Sequence, residues 1–125
     1  GYGSVQVYSV YSYVLFQQNR KEESLKYIYM ALELDPENTN VLNSTGYIEA
    51  EEGNDLEKAL DLCKRAVRKQ PEQPAYLDSL GWVYFKLGKF REAHRYIKRA
   101  YQISDDHPVI KSHLKTVAKE IGSVE

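Results

Sequence analysis

Cysteine, tryptophan and methionine each occur only once in this chain of 125 residues. A single thiol, Cys63, cannot close an internal disulfide, so the fold has no covalent staple and the redox compartment stays open. No apolar run approaches the roughly 18 residues needed to cross a bilayer, and no basic-then-apolar leader is present, so no membrane contact by this stretch is expected. An excess of either charge is missing too. Seventeen Lys and Arg face 18 Asp and Glu, a balance of −1 that offers nucleic acid or an anionic membrane no general attraction. The phosphate loop, Gly-x-Ser-x-Gly and His-Glu-x-x-His are absent as well. The chain opens on Gly1 rather than Met, as expected of a fragment or processed product of a longer protein.

What the chain does contain is a repeated packing pattern, and with 42% hydrophobic residues it can bury a core as one domain. In the stretch from Leu77 to Ala100, Leu77, Leu80, Gly81 and Tyr84 fall at i, i+3, i+4 and i+7, and Ala93, Ile97 and Ala100 at i, i+4 and i+7. Each half is an amphipathic helix, and Gly88 supplies the turn between them. Gly81 and Ala93 are small where the two axes come closest, toward the short end of the usual ~8–10 Å separation. The same pattern recurs one step upstream. There Leu42, Thr45, Gly46 and Glu49 are followed by Gly53, then Ala59, Cys63 and Ala66, and Pro71 closes the unit. Gly46 to Gly81 is 35 steps and Ala59 to Ala93 is 34, so the extra residue belongs to the Gly53 turn.

A further copy reads Tyr8, Tyr11, Ser12 and Leu15, with Asn19 at the turn and Ser24, Ile28 and Ala31 in the second helix. Its opening segment is rich in β-branched and aromatic residues, which favour strand, yet the helical register is kept and predicts helix. Downstream, Pro108 starts a last helix, capped by Asp106 or His107, with Leu114 lying 34 residues after Leu80. No partner helix follows it, so it serves as a cap.

These residues resemble the tetratricopeptide repeat (TPR), whose pattern is W-x2-L-G-x2-Y followed by A-x3-F and a closing Pro. Leu80, Gly81, Tyr84, Ala93 and Ala100 match directly; Leu77 stands for the Trp, Ile97 for the aromatic, and Asp105 for the Pro. The wording LDSLGWVYFKLGK, and later HPVIKSHL, is most similar to the C-terminal repeats of bacterial TPR proteins, many of them envelope lipoproteins or scaffolds. The resemblance implies an all-α right-handed superhelix of three hairpins, over residues 5–38, 39–73 and 74–107, plus a capping helix over 108–122, seven helices in total. It also implies a non-catalytic protein-interaction module without cofactor, in the cell envelope or cytoplasm if bacterial.

By the same resemblance the first helix of each repeat lines the concave side, so its unpacked face should meet a protein or peptide partner. That face carries Tyr13, Phe16 and Gln17, then Asn43, Tyr47 and Glu51, then Asp78, Trp82, Phe85 and Lys86, with Ser9 and Ala50 beside them. Trp and Tyr dominate interface hot spots, and the amide and carboxylate groups orient a bound segment by hydrogen bonds. The other reading is that these aromatics pack on neighbouring helices. The last helix offers only Ser112, Thr116, Lys119 and Glu120 at the equivalent places, as suits a cap. The family's clamp for chaperone C-termini needs Lys, Asn and Arg where this chain has Ser9, Tyr13, Ser44, Ala75 and Ser79, so a heat-shock chaperone tail is not an expected partner.

Lys64, Arg65, Arg68 and Lys69, with Arg91, Arg95, Lys98 and Arg99, form a basic outer face that is either solvated surface or a phosphate-binding alternative. His94, His107 and His113 are scattered, and Asp105, Asp106 and His107 suit a cap and loop better than a metal. Cys63 lies on the small-residue stripe and reads as packing, not nucleophile. Tyr8, Tyr11 and Val14 open the array uncovered, which makes a homodimer the second expectation.

Overall fold

The computed structural model describes residues 2–124. Seven helices make up the described residues: α1 (Tyr2–Gln17), α2 (Lys21–Leu34), α3 (Thr39–Glu52), α4 (Leu56–Lys69), α5 (Pro74–Lys86), α6 (Phe90–Ser104) and α7 (Pro108–Val124). Helices α1 and α2, α3 and α4, and α5 and α6 pair as antiparallel hairpins, and each hairpin leans on the next through α2 with α3 and α4 with α5. Helix α7 packs against α6 and α5.

The three turns inside the hairpins share one backbone device. Asn19, Gly53 and Gly88 have φ of 62°, 72° and 81°, the left-handed region that glycine enters freely and asparagine tolerates. Prolines mark helix starts: Pro74 and Pro108 are first in α5 and α7, where a missing N–H leaves nothing unpaired. Asn38 and Asp55 cap α3 and α4, their side chains accepting from Val41 N at 3.1 Å and Lys58 N at 3.0 Å.

Close crossings inside each hairpin explain the small residues. A Cβ added at Gly81 would stand 2.5 Å from Ile97 Cγ1 and 3.0 Å from the Ala93 carbonyl oxygen. One added at Gly46 would stand 2.5 Å from Cys63 Sγ and 3.0 Å from the Ala59 carbonyl oxygen. Contact this close packs the second helices' small faces directly on the first helices' backbones. In the first hairpin the place is taken by Ser12, which exchanges hydrogen bonds with Ser24 across the crossing. Each hydroxyl donates to the other residue's carbonyl, at 2.8 and 2.7 Å.

Helix α1 wins over its strand-like composition through packing. Leu15 and Ser12 are buried, and Val5, Tyr8 and Phe16 pack on the Leu25, Ile28 and Ala31 face of α2 and on Val41 and Ile48 of α3. Tertiary burial outweighs β propensity, which spans only about 1 kcal/mol per residue. The larger core lies at the other end, where Leu77, Leu80, Val83, Ile97, Ile110 and Val117 join α5, α6 and α7.

Candidate functional site

The first helices of successive hairpins, α1, α3 and α5, together with the start of α7, surround an open hollow of about 640 Å³. Six of the ten residues expected at the partner face line it: Tyr13, Phe16 and Gln17 from α1, Asn43 and Tyr47 from α3, and Asp78 from α5. Tyr13 is 63% exposed at the rim, and the Phe16 ring meets Tyr47 edge-on at 5.9 Å. Asn43 Oδ1 is buried without a hydrogen-bond partner. The Tyr47 hydroxyl is pushed up to about 12 by burial, and then by the carboxylates of Glu51 and Asp78.

Glu51, Trp82, Phe85 and Lys86 form a separate ledge beyond the hollow. Trp82 Nε1 donates to Glu51 Oε1 at 2.6 Å, and Lys21 Nζ stands 3.8 Å from the other Glu51 oxygen. The indole stacks on Phe85 at 4.7 Å, and Lys86 Nζ lies 5.5 Å from its centre. Ala50, expected beside this stripe, is instead fully covered in the core, because it faces α4 and α5 rather than the groove.

His113, one of three histidines scattered along the sequence, has close partners in the fold. Its ring stacks on Trp82 at 4.0 Å and 18°, and its Nδ1 lies 2.9 and 3.0 Å from the two Asp78 carboxylate oxygens. Both side chains are close to buried, at 12% and 10% exposure. His107 lines the same hollow. The polar stripe of α7 does face solvent at Ser112, Thr116 and Lys119. Among the described residues no three His, Cys, Asp or Glu side chains gather closely enough to hold a metal ion. Asp106 accepts from the Tyr101 hydroxyl at 2.8 Å and lies 3.5 Å from Lys111 Nζ, contacts that hold its carboxyl below the usual range.

The basic outer face is partly neutralised. Arg65 and Lys69 both reach Glu37, at 3.0 and 2.8 Å, and Arg99 pairs with Glu72. Cys63 is fully buried, and burial pushes its thiol up to about 12, the condition of a packing residue. No helix of the described residues is long and apolar enough to cross a membrane.

Two family models described as tetratricopeptide repeat match the chain, over residues 12–74 and 46–106. The chain belongs to the TPR family. A TPR repeat-containing protein of Pseudomonas aeruginosa is 34% identical over 88 residues, which is 70% of this chain and 14% of that protein. Human protein O-mannosyl-transferase TMTC1 is 27% identical over 115 residues, 90% of this chain and 13% of that protein. The chain thus spans about one seventh of the curated relatives it matches.

Among solved structures, the Sgt2 TPR domain from Aspergillus fumigatus superposes with a TM-score of 0.82 at 16% identity, over 96% of this chain and 80% of that one. The first TPR of Spaghetti (RPAP3), bound to an HSP90 peptide, gives 0.80 at 16% identity, over 96% and 94%. A Thermobaculum terrenum O-GlcNAc transferase mutant gives 0.84 at 21% identity, over 92% of this chain and 22% of that one. The fold is the right-handed TPR superhelix, an architecture that presents an extended concave surface for interaction.

Within that superhelix, Ser9, Tyr13, Ser44, Ala75 and Ser79, the places that the resemblance matches to the carboxylate clamp, all line the hollow. None of the five is a cation, and no Lys or Arg lines the hollow at any point.

Proposed function

We propose that this TPR chain is a non-catalytic interaction module holding a segment of a protein partner in its concave groove. The segment lies in the hollow against Tyr13, Phe16, Gln17, Asn43, Tyr47 and Asp78 and continues over the ledge of Glu51, Trp82, Phe85 and Lys86. The observation that carries this reading is the hollow itself. It is open, walled in part by Tyr13, Phe16 and Tyr47, and edged by the amides of Gln17 and Asn43, the features of a surface that takes a guest by contact area and a few hydrogen bonds. Aromatic walls supply contact area at low conformational cost, and Asn43 and Gln17 match peptide groups. A terminal carboxylate finds no cation in the hollow, so a chaperone tail is not the guest favoured here.

A photo-crosslinking amino acid placed at Tyr13 and, separately, at Lys98 on the outer face tests the assignment. A partner captured from Tyr13 and not from Lys98 is the expected result. Capture from Lys98 alone, or equal capture from both, overturns the groove.

A second reading is self-association through α1. It is favoured by one observation: Val7, Tyr11 and Val14 stand exposed at helical spacing, on a face that the later hairpins bury.

A further inference from the structure

We infer that the hollow is a receptor for an arginine side chain, so that the partner segment is basic; this rests on the groove reading above. Apart from two histidines, His107 and His113, the charge of the hollow has one sign. Asp78 is the one Asp or Glu in its lining, it is almost buried, and no Lys or Arg stands there to offset it. The nearest lysines of the groove are engaged elsewhere, Lys21 with Glu51 and the Phe16 ring, and Lys86 over Trp82. His113 reaches both Asp78 oxygens through one nitrogen, Nδ1, which leaves the carboxylate with further lone pairs, about four in all being available on such a group. Asn43 lines the hollow as well, and its Oδ1 is covered and without a partner in this conformation, so a turn of that side chain offers a guest a second acceptor.

A guanidinium answers each of these features. It carries a delocalised charge that desolvates more readily than an ammonium, presents five donors in a plane, and lies flat on aromatic faces such as Tyr13 and Tyr47. Its forked donors can serve a carboxylate and an amide oxygen together. A lysine ammonium meets the charge but not the planar walls, and an acidic side chain is repelled by Asp78 in a concave site.

Selection of random-sequence displayed peptides on the intact chain tests this. Representative clones are mapped by amide chemical-shift changes at Asn43, Tyr47 and Asp78. Arginine is expected to be enriched over the input library in the mapped peptides. Replacing that arginine by norleucine in a mapped peptide is expected to weaken binding at least about tenfold, roughly 1.4 kcal/mol. Asp78→Asn should weaken the same peptide comparably, and Asn43→Asp should leave it equal or tighter. Should Asp78→Asn fail to fold, the norleucine exchange decides alone, since it leaves the protein untouched. Mapped peptides without arginine enrichment, or indifferent to norleucine, overturn the inference and leave the groove reading standing. If no peptide shifts those amides, both fall.

Discussion

His113 on α7 reaches back 35 residues to hold both carboxylate oxygens of Asp78 on α5, while its ring covers Trp82. One side chain thereby ties α7 to the hairpin of α5 and α6, and both residues line the hollow. It also ends the indole's freedom: with His113 on one face, Phe85 beside it and Glu51 on its N–H, Trp82 is a structural post as much as a contact surface.

Removing that ring should therefore loosen α7 first. His113→Ala leaves a nearly buried carboxylate without its partner, a change that typically costs about 1–3 kcal/mol. The expected readouts are a lower urea midpoint, faster amide exchange along α7 than in α3, and a red-shifted emission from Trp82, the only tryptophan. His113→Phe keeps the stack without the hydrogen bonds and should recover only part of the loss. Unchanged exchange in α7 would show that Ile110 and Val117 alone hold the helix.

The glycines make opposite predictions according to what surrounds them. Gly81→Ala drives a methyl group against Ile97 Cγ1 and the Ala93 carbonyl, so the Ile97 side chain must move and the α5–α6 crossing must give. Overpacking of this kind costs about 1–3 kcal/mol. Gly122 in α7 has nothing within 4 Å of the same added atom, so Gly122→Ala should be neutral or stabilising by up to about 1 kcal/mol from helix propensity. Thermal denaturation of the two variants side by side decides; equal shifts would mean that the crossing opens without penalty.

Cys63 sets an alkaline limit. Its thiol rises from its ordinary value of 9 to about 12, so the folded state keeps the proton that the unfolded chain gives up. The stabilisation is complete below pH 9 and drains away as pH climbs toward 12. At pH 10 the loss from this group is on the order of 1 kcal/mol. The wild-type unfolding free energy should fall more steeply from pH 8 to pH 10 than that of Cys63→Ala. A thiol reagent should modify Cys63 only as fast as the chain unfolds. Parallel pH curves for the two proteins, or rapid modification of the folded one, would place the thiol in contact with water.

Much of the fold was legible because it repeats. Asn19, Gly53 and Gly88 stand at matching turns, and Ser12, Gly46 and Gly81 at matching crossings, so each position is seen three times and chance is reduced. Even α1 was readable, since its register outranked its β-branched content. The lining of the candidate hollow was legible in part. Tyr13, Asn43, Tyr47 and Asp78 do share one hollow, but the meeting of His113 with Asp78 depends on how far α7 slides along α5. A histidine on a polar helix carries no periodic mark of that slide. Ala50 failed for the related reason that the packing of α3 on α4 and α5 covers it, whereas Phe16, at the same spacing from Tyr13, lines the hollow. Neither error could be seen within a single helix.

The open end of the array gives the last prediction. Val7, Tyr11 and Val14 are 50%, 56% and 44% exposed, whereas the residues one repeat on, Val41, Thr45 and Ile48, are 2%, 0% and 5% exposed, and those two repeats on, Tyr76, Leu80 and Val83, are 7%, 2% and 0% exposed. In α3 the covering element is α2, and in α5 it is α4. Nothing in the described residues plays that part for α1, although Tyr27 shields one side of Tyr11 and part of Tyr8. An apolar face of this spacing accepts a helix, and in a solution of this chain alone the available helix is on a second copy. Light scattering should show a mass climbing above the monomer's 14.5 kDa as concentration rises. The double variant Val7→Glu with Val14→Lys should return it to the monomer while the circular dichroism spectrum stays helical, because both side chains already face water. A mass that ignores concentration in the wild type would remove self-association and leave α1 free for other contacts.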